Sequence, residues 1–212
     1  MKQIVGLLLA CIAVISAVAG TVQAETIAFN FTDPSSGDVS AEGTDGFRFT
    51  PIVNISVTAL GYYDRDQDGL TLEHPMALYE LSSGDLLASA TADGSSFLDG
   101  LFRYTSITPL TLQAGIEYVV AGYHPGTSGD LAAYLVPSSL VSFAPEITYG
   151  GYYFDYGSPL ALPTTDGGDA SFFGPNFKFE VVPEPSTYAG LLGITCVSLL
   201  AYGWRRKRHQ AA

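Results

Sequence analysis

The sequence predicts an all-β fold, an antiparallel β-sandwich or jelly roll, and three observations carry that prediction. Apolar residues recur in short runs that alternate with polar ones, and clusters of Gly, Pro, Asp and Ser separate the runs. No stretch of a dozen residues shows apolar residues at a 3.6-residue period. In a strand successive side chains point to opposite faces, so alternation marks one buried and one solvated face.

The strands are expected in order along the chain. Thr26 to Phe31 alternate, as do Phe47-Arg48-Phe49 and Ile52 to Val57. Met76 to Leu81, Leu86 to Thr91, Leu101 to Ile107 and Ile116 to Tyr123 follow, with Ile147 to Tyr153 and Phe177 to Val182 last. Between them lie turn sequences such as Ser82-Ser83-Gly84-Asp85, Asp93-Gly94 and Gln113-Ala114-Gly115. Many short strands at this spacing fit two packed sheets.

Charge and cysteine usage narrow the chemistry. All 21 carboxylates lie between Glu25 and Glu184, where the cations are Arg48, Arg65, Arg103 and Lys178, a net charge of −17 against −12 for the whole chain. Such a field keeps a domain soluble and repels polyanions, so nucleic-acid binding is not expected. The two cysteines, Cys11 and Cys196, fall outside that region, which excludes a disulfide, a thiol nucleophile or a cysteine-based zinc site within it.

The two ends read as sorting signals. Residues 1–24 have the form of a signal peptide: Lys2, an apolar run from Ile4 to Val18, and small residues at Val22 and Ala24. Cleavage is expected between Ala24 and Glu25, by signal peptidase after passage through the Sec translocon. Residues 25–181 are expected to be the β ectodomain. At the other end, Pro183-Glu184-Pro185-Ser186 precedes an apolar run over residues 188–204 and the basic cluster Arg205, Arg206, Lys207 and Arg208. The prolines keep the chain extended and open to an enzyme. The apolar run, about 25 Å as a helix, is expected to span the inner membrane, with the four cations stopping transfer and residues 209–212 as a cytoplasmic tail.

Val182 to Thr187, the apolar segment with Ala189, Gly190 and Gly193, and Arg205 to Arg208 together resemble the PEP-CTERM sorting domain of Gram-negative bacteria that make extracellular polysaccharide. The resemblance spans residues 182–208. It implies that an exosortase, a membrane-embedded cysteine transpeptidase, cuts near the Pro-Glu-Pro motif and passes the chain to the cell surface or extracellular matrix. A second resemblance runs through the middle of the chain. Leu60-Gly61-Tyr62-Tyr63-Asp64, Asp68-Gly69-Leu70, His74, Leu78-Tyr79 and Gly84 to Ala88 are similar to a β-sandwich domain common in PEP-CTERM proteins, as are Phe102-Arg103-Tyr104 and Pro109 to Tyr118. It implies the fold and no activity.

Within the middle region, Asp64-Arg65-Asp66-Gln67-Asp68-Gly69 is the foremost site candidate. Asp64, Asp66 and Asp68 stand where a calcium loop places carboxylates, and Gly69 where it turns sharply. Leu70 would supply a backbone carbonyl and Glu73 a late carboxylate, because position 12 of the loop is Pro75. The other reading is a solvated acidic turn. Tyr152 and Tyr153 cannot both be core in an extended strand, so one ring is expected at the surface, as for Tyr62 and Tyr63. Such a ring could stack on a sugar of an exopolysaccharide, or pack across strands. His74 and His124 each precede Pro and lack metal-ligand spacing, and no Ser sits in a Gly-x-Ser-x-Gly elbow. The expected function is therefore a non-enzymatic structural or adhesive surface domain, with a carbohydrate-binding module as the alternative.

Overall fold

The computed structural model describes residues 24–31, 38–39, 42–126, 130, 132–134, 141–157, 159–168, 172–183, 193–199 and 202. Ala24–Val182 forms one compact unit, and all the strands described in it pair antiparallel. The strands are numbered in chain order. One large sheet runs, side by side, β1 (Thr26–Ile27), β16 (Pro175–Val181), β5 (Ile55–Tyr63), β9 (Phe102–Leu112) and β8 (Phe97–Asp99). The other runs β14 (Thr165–Gly168), β13 (Ile147–Tyr156), β4 (Gly43–Pro51), β10 (Tyr118–His124), β6 (His74–Glu80) and β7 (Leu86–Ala92). Two small sheets complete the unit: β15 (Phe172–Phe173), β11 (Ala132–Tyr134) and β3 (Asp38–Val39) in one, β12 (Val141–Phe143) and β2 (Phe29–Phe31) in the other.

The core lies between the two large sheets and is dominated by phenylalanine. Phe47 and Phe49 alternate on β4, Phe177 and Phe179 on β16, and the Phe49 and Phe177 rings meet at 4.6 Å between centroids. Each fully buried ring contributes roughly 1.5–3 kcal/mol of transfer free energy. Phe29 of β2 reaches both sheets, edge-on to Phe47 and to Phe102 at 5.3 Å each, so the small β2–β12 sheet closes one open side of the sandwich. On the outer face of the six-stranded sheet, Ala77, Tyr79, Val119 and Ala121 form a second cluster covered by Leu160 and Leu162. Both faces of β6 and β10 are thus buried, which explains their continuous apolar sequence.

That closure overturns one expectation. Tyr62 and Tyr63 are adjacent on β5 and point to opposite faces, yet both are buried. Tyr62 stacks on His74 at 4.0 Å, while Tyr63 packs on Phe31 of β2 and Phe102 of β9. Alternation predicts opposite directions, and an added layer made both directions interior.

The second unit comprises Met1–Gln23 and Pro183–Ala212. Its residues 193–199 and 202 are helical. Residues 1–23 of the signal peptide expected over 1–24, the motif residues Glu184, Pro185 and Ser186, most of the apolar run 188–204, and Arg205 to Arg208 lie outside the described residues. No helix among the described residues is long and apolar enough to cross a membrane.

Candidate functional site

Register places the loops of interest at one end of the sandwich. Tyr63 of β5 pairs with Phe102 of β9, and His124 of β10 pairs with Gly43 of β4. The loop 64–73, the start of β6 and the end of β10 therefore share that end. Val181 pairs with Ile55 at the opposite end, where Val182 donates its amide to the Asn54 carbonyl at 2.9 Å. The sheet grips the chain up to the residue before Pro183, itself half-buried.

The acidic loop is anchored at both ends by carboxylates that are not solvated. Asp64, only 2% exposed, accepts the Gln67 amide on Oδ1 at 3.1 Å and the Arg103 Nε–H on Oδ2 at 2.5 Å. Gln67 adopts a left-handed φ of 62° to close this turn, and Arg103 also reaches the Gln67 and Ser96 carbonyls. At the far end, the Asp130 carboxylate accepts the amides of Thr71 at 2.8 Å and Leu72 at 2.9 Å. Burial alone would push the Asp130 carboxyl up, but those amides and His74 hold it below its usual value.

Of the five calcium-ligand positions, the structure gathers three. Asp64, Asp66 and Asp68 have carboxylate oxygens within 4.8 Å of one another. Asp64 already has both oxygens engaged, so Asp66 and Asp68, both exposed, are the pair that could hold a cation. The Asp66 charge raises the Asp68 pKa, since two like charges crowd one loop. Leu70 is buried, with its carbonyl turned to Gly94, where a Cβ would lie 2.9 Å away. Glu73 is exposed and stands outside the gathered carboxylates. Glu73 is therefore not brought to the three aspartates, and the Asp130 carboxylate holds Thr71 and Leu72 in the second half of the loop.

Asp130 also organises a buried polar cluster that sequence spacing did not reveal. His74 Nε2 lies 3.1 Å from Asp130 Oδ2, and its Nδ1 lies 3.2 Å from the Tyr123 carbonyl. His124 accepts the Gly126 amide on Nδ1, so its proton sits on Nε2, which donates to the Asp130 carbonyl at 2.5 Å. Both His74 nitrogens face acceptors, so a neutral ring satisfies one and a protonated ring both. Burial nonetheless lowers the His74 pKa, against the pull of Asp130. All four ring nitrogens are engaged, and the two rings are packed core groups 5.9 Å apart.

Beside this cluster lies Asp45 on β4, on the same inward face as Phe47 and Phe49. It is 8% exposed and its Oδ1 has no hydrogen-bond partner among the described residues; nor has the Tyr62 hydroxyl. Burial pushes the Asp45 carboxyl up to about 7. The folded state therefore holds a proton that the unfolded chain releases near 3.8. This contribution to stability is fully present below about pH 4 and is lost as pH rises through 7, about 4 kcal/mol across the window.

The tyrosine pair expected to meet a glycan is not displayed for it. Tyr152 is 2% exposed, with its ring against Gly167 and Phe154. Tyr153 is half-buried, and the Arg48 guanidinium sits over its ring at 4.6 Å. A register shift between Tyr152 and Tyr153 opposite β14 accompanies their burial. The exposed aromatic of the segment is Tyr156, 58% exposed and packed on Phe154 at 4.8 Å. At the expected signal cleavage point, Ala24 and Glu25 are both exposed, and Glu25 lies 3.9 Å from Lys178.

The last strand of the β unit, β16, ends two residues before Pro183. Residues 181–208 match the PEP-CTERM protein-sorting motif, which directs a chain to export and the cell surface and implies exosortase as its processing partner. Residues 31–173 match the domain of unknown function DUF4082, two-thirds of the chain, and the chain belongs to that family. A search of curated proteins gives no match.

Proposed function

We propose that this is a non-enzymatic surface or matrix domain, exported by its N-terminal signal, held in the inner membrane by its C-terminal segment and released by exosortase to a structural or adhesive role. The observation that carries the reading is the sorting motif beginning where β16 ends, with no spacer between the folded unit and Pro183. The packed imidazoles support the absence of catalysis: a general base needs a free nitrogen within reach of a substrate proton. Immunoblots of the native host test the processing. The mature mass is expected to fall when exosortase is present and to stay at the signal-cleaved value when it is deleted or Pro185 is replaced by Ala. Identical masses in all three strains would end the reading.

A second reading, contact with exopolysaccharide, draws on one observation, the exposed Tyr156 ring backed by Phe154. The net charge of −17 between Glu25 and Glu184 favours neutral over acidic sugars. A glycan array is expected to show binding that Tyr156→Ala abolishes; silence across neutral and acidic sugars leaves the structural role alone.

A further inference from the structure

We propose that Asp45 is a proton-operated latch at the loop-bearing end of the sandwich: neutral, it lets β4, β5 and β10 close over it, and ionised, it forces that end to admit water. The geometry comes first. Asp45 pairs with Gly122 of β10 on one side and Phe154 of β13 on the other, so it occupies an interior strand. Its inward side chain leaves Oδ1 without a partner among the described residues, and the Tyr62 hydroxyl, on the facing sheet, is likewise unpaired among them. A neutral carboxyl can remain there at modest cost. A carboxylate needs more donors than the closed packing gives it, where its own backbone amide only partly offsets burial, and water supplies them.

The titratable groups around it come from every neighbouring element. β5 contributes Tyr62, whose own ionisation is pushed well up by burial and then by Asp45 and Asp130. β6 contributes His74, β10 His124, β13 Tyr152, and the segment after β10 Asp130. None is a free cation: His74 and His124 are engaged as described, and Arg48 and Arg103 serve other carboxylates. Among the described residues, ionisation of Asp45 thus meets no cation and is offset only by a backbone hydrogen bond.

The loosening has a route to the acidic loop. Tyr62 stacks on His74, His74 binds Asp130, and Asp130 holds the amides of Thr71 and Leu72. Water entering beside Tyr62 disturbs the first member of that chain. Around neutral pH the exported domain therefore passes between a closed end with a fixed loop and an open end with a released one.

Amide hydrogen exchange on the full chain in detergent micelles tests this, at pH 6 and pH 8, with rates corrected for intrinsic base catalysis. In the wild type, opening at Thr44, Gly46, Val120, Gly122, Thr71 and Leu72 is expected to be about tenfold greater at pH 8, given an Asp45 pKa of about 7. Asp45→Asn is expected to remove the difference while amides around Ile55 and Leu112, at the other end, stay equal throughout. Equal protection in the wild type at both pH values, or a rise that persists in Asp45→Asn, overturns the proposal. Should the variant fail to fold, the carboxyl carbon shift of Asp45 decides. Its ionisation in step with the exchange of those amides supports the latch, and ionisation without any change in them refutes it.

Discussion

Arg103→Ala is expected to destabilise the protein by about 3–5 kcal/mol, the usual result of stripping one partner from a buried ion pair. Asp64 is 2% exposed and its Oδ2 is held by the Arg103 Nε–H. Without the guanidinium, that carboxylate keeps its desolvation cost and loses its counter-charge. The same change removes donors to the Ser96 and Gln67 carbonyls, so the loop 64–73 and the turn before β8 both lose their tie to β9. Urea unfolding should show a lower midpoint with an unchanged slope. Arg103→Lys should recover only part of the loss, because a single ammonium cannot reproduce the fork that holds three acceptors. A midpoint equal to wild type for Arg103→Ala would mean that Asp64 is solvated.

Gly46→Ala is expected to cost about 3 kcal/mol or more, the upper end of overpacking penalties. A Cβ at this position would lie 2.1 Å from the Val120 carbonyl oxygen and 2.9 Å from the Ala121 Cα. Both are backbone atoms of the neighbouring strand, so no rotamer change relieves the clash, and β4 must move away from β10. Phe47 and Asp45 flank the site, which couples the shift to the core and to the loop-bearing end. Thermal melting and near-ultraviolet circular dichroism would register both effects. Gly100→Ala makes a suitable control: nothing lies within 4 Å of its Cβ position, and its penalty comes from a left-handed φ of 61° alone.

Strand existence was largely readable, whereas strand ends and partners were not. Leu86 to Thr91 and Ile147 to Tyr153 coincide with most of β7 and β13. Thr26 to Phe31 reads as one alternating run, yet Ala28 divides it into β1, paired with β16, and β2, paired with β12. Alternation records which faces are buried and carries no mark for a change of partner. The run Leu101 to Ile107 falls short of β9, which continues through Pro109 to Leu112. Residues 107–109 sit in an irregularity opposite Thr58, and β8 pairs only with Phe102 to Tyr104, so the missing amide breaks no ladder there. β14 escaped notice because Thr165-Asp166-Gly167-Gly168 has no apolar face to read.

The candidate site divides in the same way. Asp64, Asp66 and Asp68 were visible because their spacing is local. Their division into one structural and two exposed carboxylates depends on Arg103, 39 positions from Asp64. Asp130 lies 56 positions from His74, and its tie to Thr71 and Leu72 arises only when β6 and β10 pair. Asp45 lies in Gly43-Thr44-Asp45-Gly46, which has no apolar alternation to mark a strand, and only its register within an interior strand makes it a buried acid.

The seat of β16 between β1 and β5 sets how the domain answers a pull. A load applied between the tail and the loop-bearing end runs along β16 and must shear its whole ladder to β5 at once. A load applied between the two termini instead peels β1, a two-residue strand beside Phe179 and Lys178, one bond at a time. A cell drawing on this chain by its tail would therefore meet the stiff direction, and the N-terminal edge would open at far lower force.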